Sequence, residues 1–323
     1  AYDPLTKEII DPAGGKKDIR AKNIAAVGSP DACFLADPLR LIRAVRFSAN
    51  LDFKIEEKTA LAIKKFAAEI TKASPERIRD ELISIFTGPN PARGLELLDE
   101  TGLLEYVLPD AARMKGVPQP AQFHPEGDVF SHTLLMLKQL KQPSVVLAFA
   151  CLLHDIGKPD TFQITDRIRF SGHDKTGAKI ADKILRELCF PNADRENIVA
   201  CVDNHMRMME APRMRQATLK RLLARPTFSE ELKLHYIDCL ASHKDLSVWR
   251  FLKRKHTRFR SGPVIPKPLL NGDELKKMGF TPGPIFGRIH SGMVDLQLEG
   301  KIKNKSQAKK WVREKFARRE TSG

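Results

Sequence analysis

Cys151-Leu152-Leu153-His154-Asp155-Ile156-Gly157-Lys158-Pro159 delivers an adjacent histidine and aspartate just where a helix must end. The small and apolar residues from Val145 to Leu153 read as a buried helix, which Gly157 and Pro159 stop. An imidazole is a borderline donor and a carboxylate a hard one. Together they suit Mn, Fe, Co, Ni, Zn or Mg better than a thiolate-type structural zinc would. Further candidate ligands are His132 upstream and His173, His205 and Asp238 downstream, each in or beside a segment that reads as helix. A His-Asp pair is common by chance, and any one of these histidines alone reads as core or surface. The information lies in their combined order and spacing.

A second stretch with chemical content is Asp37-Pro38-Leu39-Arg40-Leu41-Ile42-Arg43-Ala44-Val45-Arg46-Phe47. Asp37 reads as a helix N-cap and Pro38 as the first helical residue. Leu41, Ile42, Val45 and Ala49 form an apolar face, while Arg40, Arg43 and Arg46 recur every third residue and lie near one stripe. Three guanidiniums in a row repel one another, and an anion such as a triphosphate relieves that repulsion. An Asp beside an Arg offers an acceptor and donors that can pair with a base edge. On spacing alone, a solvated charged face is an equal alternative.

The elements that must position these groups read as helices. A helix starting near Asp128 carries His132, Glu56 to Ile70 and Pro91 to Glu100 are helical, and Ser74 caps a helix opened by Pro75. Leu61, Ile63, Phe66, Ala67, Leu95, Leu97 and Leu98 are the candidate core there. Pro109 to Pro120 reads as a linker, and the Gly and Pro residues from Gly279 to Pro284 as a tight turn between two short helices. Residues 1–30 are short extended or looped pieces with Asp-Pro and Gly-Gly turns, too few strands for a sheet of their own. They look like the last edge of a domain whose body lies elsewhere.

At 323 residues the chain should hold two or more domains. Its 55 Lys and Arg against 40 Asp and Glu give a net charge of +15, and basic residues cluster between Arg250 and Arg260 and between Lys301 and Arg319. Such a balance favours a polyanionic partner, nucleic acid first. The five cysteines are scattered and form no CxxC pair, which fits a reduced cytosol. No apolar stretch approaches the roughly 18 residues of a membrane span, and no charged leader opens the chain, so a cytoplasmic, membrane-free protein is expected.

The order His, His-Asp, His, His, Asp resembles the HD superfamily of metal-dependent phosphohydrolases. Ala1-Tyr2-Asp3-Pro4, Ile10-Asp11-Pro12-Ala13-Gly14-Gly15-Lys16-Lys17-Asp18-Ile19, Val27-Gly28-Ser29-Pro30, the Asp37 to Phe47 stretch and Ser74-Pro75-Glu76-Arg77-Ile78-Arg79-Asp80-Glu81-Leu82 resemble consecutive motifs of bacterial class II tRNA nucleotidyltransferases. These CCA-adding enzymes share their family with poly(A) polymerases, and many carry an HD domain. His124-Pro125-Glu126-Gly127-Asp128-Val129-Phe130-Ser131-His132 matches the HD-bearing members. The resemblance implies that Asp37 and Arg40 imitate Watson-Crick partners for the base of CTP or ATP, with Arg43 and Arg46 as further nucleotide contacts. The usual Glu before that Asp is Ala36 here. It also implies that His132, His154, Asp155 and Asp238 hold one metal, that His173 and His205 join a second, and that Lys158 steadies the phosphate.

The resulting expectation is a mostly α protein. Residues 1–30 are the end of an α/β nucleotidyltransferase head, 31–115 a helical neck, 120–245 an α-helical HD domain and 246–323 a small basic helical tail that carries tRNA. The family's Gly-Ser loop and its Mg²⁺-binding aspartates would precede Ala1, so this polypeptide alone should not polymerise. A separately encoded head is one expected partner. The competing expectations are a stand-alone HD phosphohydrolase, a non-catalytic RNA-binding subunit and a poly(A) polymerase.

Overall fold

A computed structural model describes residues 4–120, 122, 127–259 and 265–316. Of the sequence features quoted above, Ala1, Tyr2, Asp3, His124, Pro125, Glu126, Arg260, Arg318 and Arg319 lie outside the described residues. The described chain is mostly α-helical, as expected, with two small pieces of sheet. Asn23–Ile24 runs parallel to Lys54–Ile55, and Phe162–Ile164 runs antiparallel to Ile168–Phe170 with Gln163 opposite Arg169. Among the described residues no helix is long and apolar enough to cross a membrane.

The chain divides into two compact units. One takes the residues up to Met206 together with Lys233–Leu246, the other Arg207–Leu232 and the residues from Ser247 onward. This division cuts through the segment expected as 120–245, because residues 207–232 pack with later residues.

In the first unit, Leu39–Leu51 buries Leu41, Ile42, Val45 and Ala49 against the helices Pro75–Phe86 and Pro91–Glu100. Gly94 permits that approach, since a Cβ there would lie 2.2 Å from Ile85 Cγ2. The helix begins one residue later than the sequence suggests. Pro38 takes the cap position, and Asp37 Oδ1 accepts from Leu39 N at 3.2 Å. The expected Glu56 to Ile70 helix breaks into an α-helix, Glu57–Lys65, and a 3₁₀ segment, Ala67–Lys72; Ile63 and Ala67 are buried but Leu61 is exposed. Pro109 to Pro120 is no loose linker. It contains the short helix Pro109–Ala112, buries Ala111 and Met114, and pairs with the next segment through Val129 N to Val117 O. The opening residues bury little of their own: Leu5, Ile9, Ile10, Ile19 and Val27 stay exposed.

Val145–Leu153 is helical over the span its composition predicts. Ser144 caps it by accepting from Leu147 N, and every residue from Leu147 to Leu153 is buried. Phe149 stacks edge-on with Phe86 and Phe190. Asp128 caps Val129–Lys138 through Oδ1 to Ser131 N at 2.7 Å, while its Oδ2 accepts from Gly116 N at 2.6 Å.

The second unit is built from Gln216–Leu223, Ser247–Phe259, Gly272–Lys277, Pro284–Leu298 and Lys305–Phe316, around Leu222, Phe228 and Leu252 in one core and Ile289, Met293 and Val312 in another. Asn271 and Glu274 form a reciprocal capping box. The Pro-Gly turn expected after Met278 is present, but the helix beyond it, Pro284–Leu298, is long.

Candidate functional site

Five helices bring the candidate ligands together: His132 lies in the first turns of Val129–Lys138, His154 and Asp155 follow Val145–Leu153, His173 opens His173–Glu187, His205 follows Asn192–Asn204, and Asp238 lies within Phe228–Ala241. Ligand atoms of His132, His154 and Asp238 lie within 4.8 Å of one another, as do those of Asp155, His173 and His205. Asp155 reaches toward both groups: Oδ2 is 3.1 Å from His154 Nε2, and Oδ1 is 3.4 Å from His173 Nε2 and 3.8 Å from His205 Nε2. Asp238 Oδ1 lies 3.2 Å from His132 Nε2.

The local chain explains the ring orientations. His154 and His205 are the C-caps of Val145–Leu153 and Asn192–Asn204, where the last carbonyls lack helical partners. His154 Nδ1 donates to the Cys151 carbonyl at 3.0 Å and His205 Nδ1 to the Val202 carbonyl at 2.6 Å. His173 opens its helix after Gly172 and donates from Nδ1 to the Phe170 carbonyl at 2.8 Å. A carbonyl can only accept, so the proton sits on Nδ1 and Nε2 is the atom turned into the cluster. Metal-binding imidazoles are fixed by such backbone partners. Gly157 lets the turn close, for a Cβ there would meet the His173 carbonyl oxygen at 2.3 Å.

Two features show that the donor set fits a divalent cation. His173 Nε2 and His205 Nε2 stand 3.1 Å apart, a contact two lone pairs do not make unless a proton or a cation lies between them. Buried His154 Nε2 has no well-directed hydrogen bond, although Asp155 Oδ2 is near. Mixed imidazole and carboxylate donors match Mn, Fe, Co, Ni or Zn.

The electrostatics agree. Burial opposes ionisation of Asp155, yet His154 and Lys158 outweigh it and hold the carboxyl well below the usual range. Burial opposes ionisation of Asp238 too, and His132 more than reverses it. Burial, with His154 beside it, pushes His205 down to about 4. For His173, burial lowers the pKa but the bond to Asp155 raises it further. Cys239, near Asp238, is pushed up to about 12 by burial and is inert packing.

Lys158, expected to steady a phosphate, is buried beside the cluster. Its buried Nζ pairs with Asp155 Oδ2 at 2.6 Å and Gln119 Oε1 at 2.5 Å.

In the neck, Asp37, Arg40, Arg43 and Arg46 share one region but do not form one bare stripe. Arg43 Nε and Arg46 Nη1 both pair with the buried carboxylate of Glu81, at 2.9 and 3.1 Å. Asp37 pairs with Arg77 at 3.3 Å, and Arg40 donates to the Cys33 carbonyl at 3.2 Å. Sequence reasoning missed Glu81, Arg77 and Gln119 as members of these sites. Glu81 carried one signal, an acidic residue on the apolar side of its helix.

Residues 52–115 match the family described as "Probable RNA and SrmB- binding site of polymerase A", and residues 128–242 match "HD domain". An A-adding tRNA nucleotidyltransferase of Deinococcus radiodurans is 32% identical over 95% of this chain and 74% of its own length. A CC-adding tRNA nucleotidyltransferase of Thermus thermophilus is 30% identical over 93% of this chain and 71% of its own length. The solved structure of the Bacillus stearothermophilus CCA-adding enzyme in complex with CTP shares the fold with a TM-score of 0.70, at 23% identity, covering 99% of this chain and 71% of that one. That structural likeness speaks for the fold, and the two sequence relatives carry the family. With its six-residue cluster on an HD domain and its arginine-bearing neck, this chain belongs to the tRNA nucleotidyltransferase family.

Proposed function

We propose that this chain is part of an enzyme that adds CMP or AMP to the 3′ end of tRNA, and that its HD cluster is a phosphohydrolase centre for phosphate ends such as 2′,3′-cyclic phosphates. The observation that carries the second half is the convergence of three Nε2 atoms, each fixed by an Nδ1 to carbonyl bond, on the Asp155 carboxylate. A divalent transition metal bound there would act as a Lewis acid and lower the pKa of water toward roughly 7. His132, His154 and Asp238 would hold one ion, and Asp155, His173 and His205 a second. Burial of His132, His154, Asp155, His173 and His205 keeps those donors in place before any ligand arrives, while Asp238 is partly exposed.

For nucleotide addition, the support is the family and the neck geometry. Arg40 meets a carbonyl and a thiol instead of a carboxylate, so its guanidinium is the readiest to accept a base edge or phosphate. Asp37 supplies the acceptor beside it, and Arg43 and Arg46 exchange part of their hold on Glu81 for nucleotide. CTP, ATP and tRNA are the partners this reading requires, with Mg²⁺ serving the polymerising reaction. The matches over residues 52–115 and 128–242 support 31–115 as the neck and 120–245 as the HD portion, although residues 207–232 pack with the second unit.

The test is metal content by elemental analysis together with hydrolysis of 2′,3′-cyclic AMP, for the parent chain and its His154→Ala, Asp155→Ala double variant. Bound transition metal and hydrolysis should both be present in the parent and vanish in the variant. Metal without hydrolysis, or hydrolysis that survives the variant, rules out the phosphohydrolase.

A further inference from the structure

The hairpin of Phe162–Ile164 and Ile168–Phe170 lies in the chain between the short helix Lys158–Thr161 and the helix that His173 opens. Its register sets Phe162 opposite Phe170 and Ile164 opposite Ile168, so these four apolar side chains share one face, with Gln163 and Arg169 on the other. A two-stranded piece holds poorly in water unless such a face is covered. Yet among the described residues none of the four belongs to a hydrophobic core or packs against one. Phe162, Ile168 and Phe170 are half-buried, and Ile164 is 71% exposed. One end of this face adjoins the cluster. The Phe170 ring centroid is 6.4 Å from that of His173, and Lys158 Nζ stands 5.2 Å from it. Phe162 follows at 5.9 Å from Phe170, with its plane tilted by 43°. In the turn that joins the strands Arg167 is exposed, and Asp166 there pairs with Arg169 at 2.7 Å.

We propose that Phe162 and Phe170 form a stacking platform for the last base of an RNA strand whose terminal phosphate lies at the cluster. Aromatic rings take any base by its π-face, so such a platform binds without reading sequence. The gap between the His173 and Phe170 rings is one that a ribose can bridge. Charge decides the occupant. An apolar peptide would use the face alone, whereas an RNA end uses the face, the cluster and the exposed guanidinium of Arg167, which suits the next phosphate along the strand. The site therefore takes base-bearing phosphate ends in preference to small phosphoesters.

This inference rests on the reading of the cluster as a phosphohydrolase centre, and two measurements keep the failures apart. In the Mn²⁺-loaded parent, KM for 2′,3′-cyclic AMP should be roughly ten-fold lower than KM for methyl riboside 2,3-cyclic phosphate, which lacks the base. Phe162→Leu keeps an apolar side chain in the strand but removes the ring, and should bring that ratio close to one through KM and not through kcat. Phe162→Trp should keep or widen it. Fluorescence titration of metal-free protein with 2-aminopurine riboside 2′,3′-cyclic phosphate reads stacking without hydrolysis. The parent should quench the probe, and Phe162→Leu should not. Equal KM values in the parent, or a ratio that Phe162→Leu leaves in place, overturns the inference. Hydrolysis of neither compound overturns the phosphohydrolase reading, and the fluorescence then decides the platform alone: no quenching by the parent overturns it. A concentration-dependent dimer that Phe162→Leu dissociates would mean that a second copy covers this face, and overturns it too.

Discussion

The histidine-aspartate cluster and the arginine helix are both built from charged and polar side chains, but they satisfy them differently. In the cluster, helix ends bury four imidazoles and bring them onto two carboxylates, leaving Nε2 atoms facing one another at 3.1 Å. In the neck, charges neutralise each other within the protein: Glu81 holds Arg43 and Arg46, and Arg77 holds Asp37. The first arrangement calls for a cation. In the second, Arg43, Arg46 and Asp37 already have partners within the protein, and only Arg40 meets no carboxylate. A preformed site binds without reorganisation, whereas an ion-paired one trades contacts of similar strength and gains selectivity in the exchange.

The largest effect that tests this contrast is pH. A histidine titrates near 6.5 in an unfolded chain, while His205 in the fold is pushed down to about 4. As pH falls from 6.5 toward 4, the unfolded chain takes up a proton that the folded one refuses, so the metal-free protein should lose about 3 kcal/mol. His235, also lowered by burial, adds to this loss, while His173, whose bond to Asp155 raises it, contributes stability that is fully present below the unfolded value and offsets part of it. Urea midpoints at pH 7 and pH 4.5 in the presence of chelator measure it. A flat profile would show that the imidazole pair is solvated and that the cluster resembles the neck more than the geometry says.

A smaller effect belongs to the neck. Glu81→Gln leaves two guanidiniums beside an amide and should cost about 2 kcal/mol by chemical denaturation, because a buried charged acceptor is lost while both arginines stay partly solvated. The same variant should loosen Arg43 and Arg46 and weaken CTP binding less than Arg40→Ala does. Equal losses would mean that the arginines act as one preformed site, erasing the contrast.

The smallest effect is Asp128→Ala. It removes the cap of the helix bearing His132 and the bond to Gly116 N, and should cost about 1 kcal/mol in thermal unfolding. Metal affinity should change little, since Thr133, Met136 and Leu137 on the same helix remain buried. A large loss of metal would place the orientation of His132 in the cap.

Much of this was legible in the chain. Val145–Leu153 announces itself because nine small or apolar residues in a row have nowhere to go but the core. The ligand order was legible because histidines placed at the ends of such helices stand beside unpaired carbonyls. Asp128 announced its cap by preceding an apolar run. The stripe of arginines was legible as spacing, but the pairing of Arg43 and Arg46 with Glu81 was not, since Glu81 lies 38 residues from Arg43 on another helix. The partner of Lys158 was hidden in the same way, with Gln119 lying 39 residues before it.

The sequence by itself determined most helices, the caps at Asp128 and Ser144, the apolar faces of Val145–Leu153 and Leu39–Leu51, and the set of residues that form the cluster. Periodicity and end signals are local, and a side chain's ligand chemistry travels with its type. Only the tertiary structure decided which of those groups converge and which pair with other side chains. That depends on distances of a few ångström between segments far apart in the chain, and at 2.6 Å the ammonium of Lys158 belongs to Asp155.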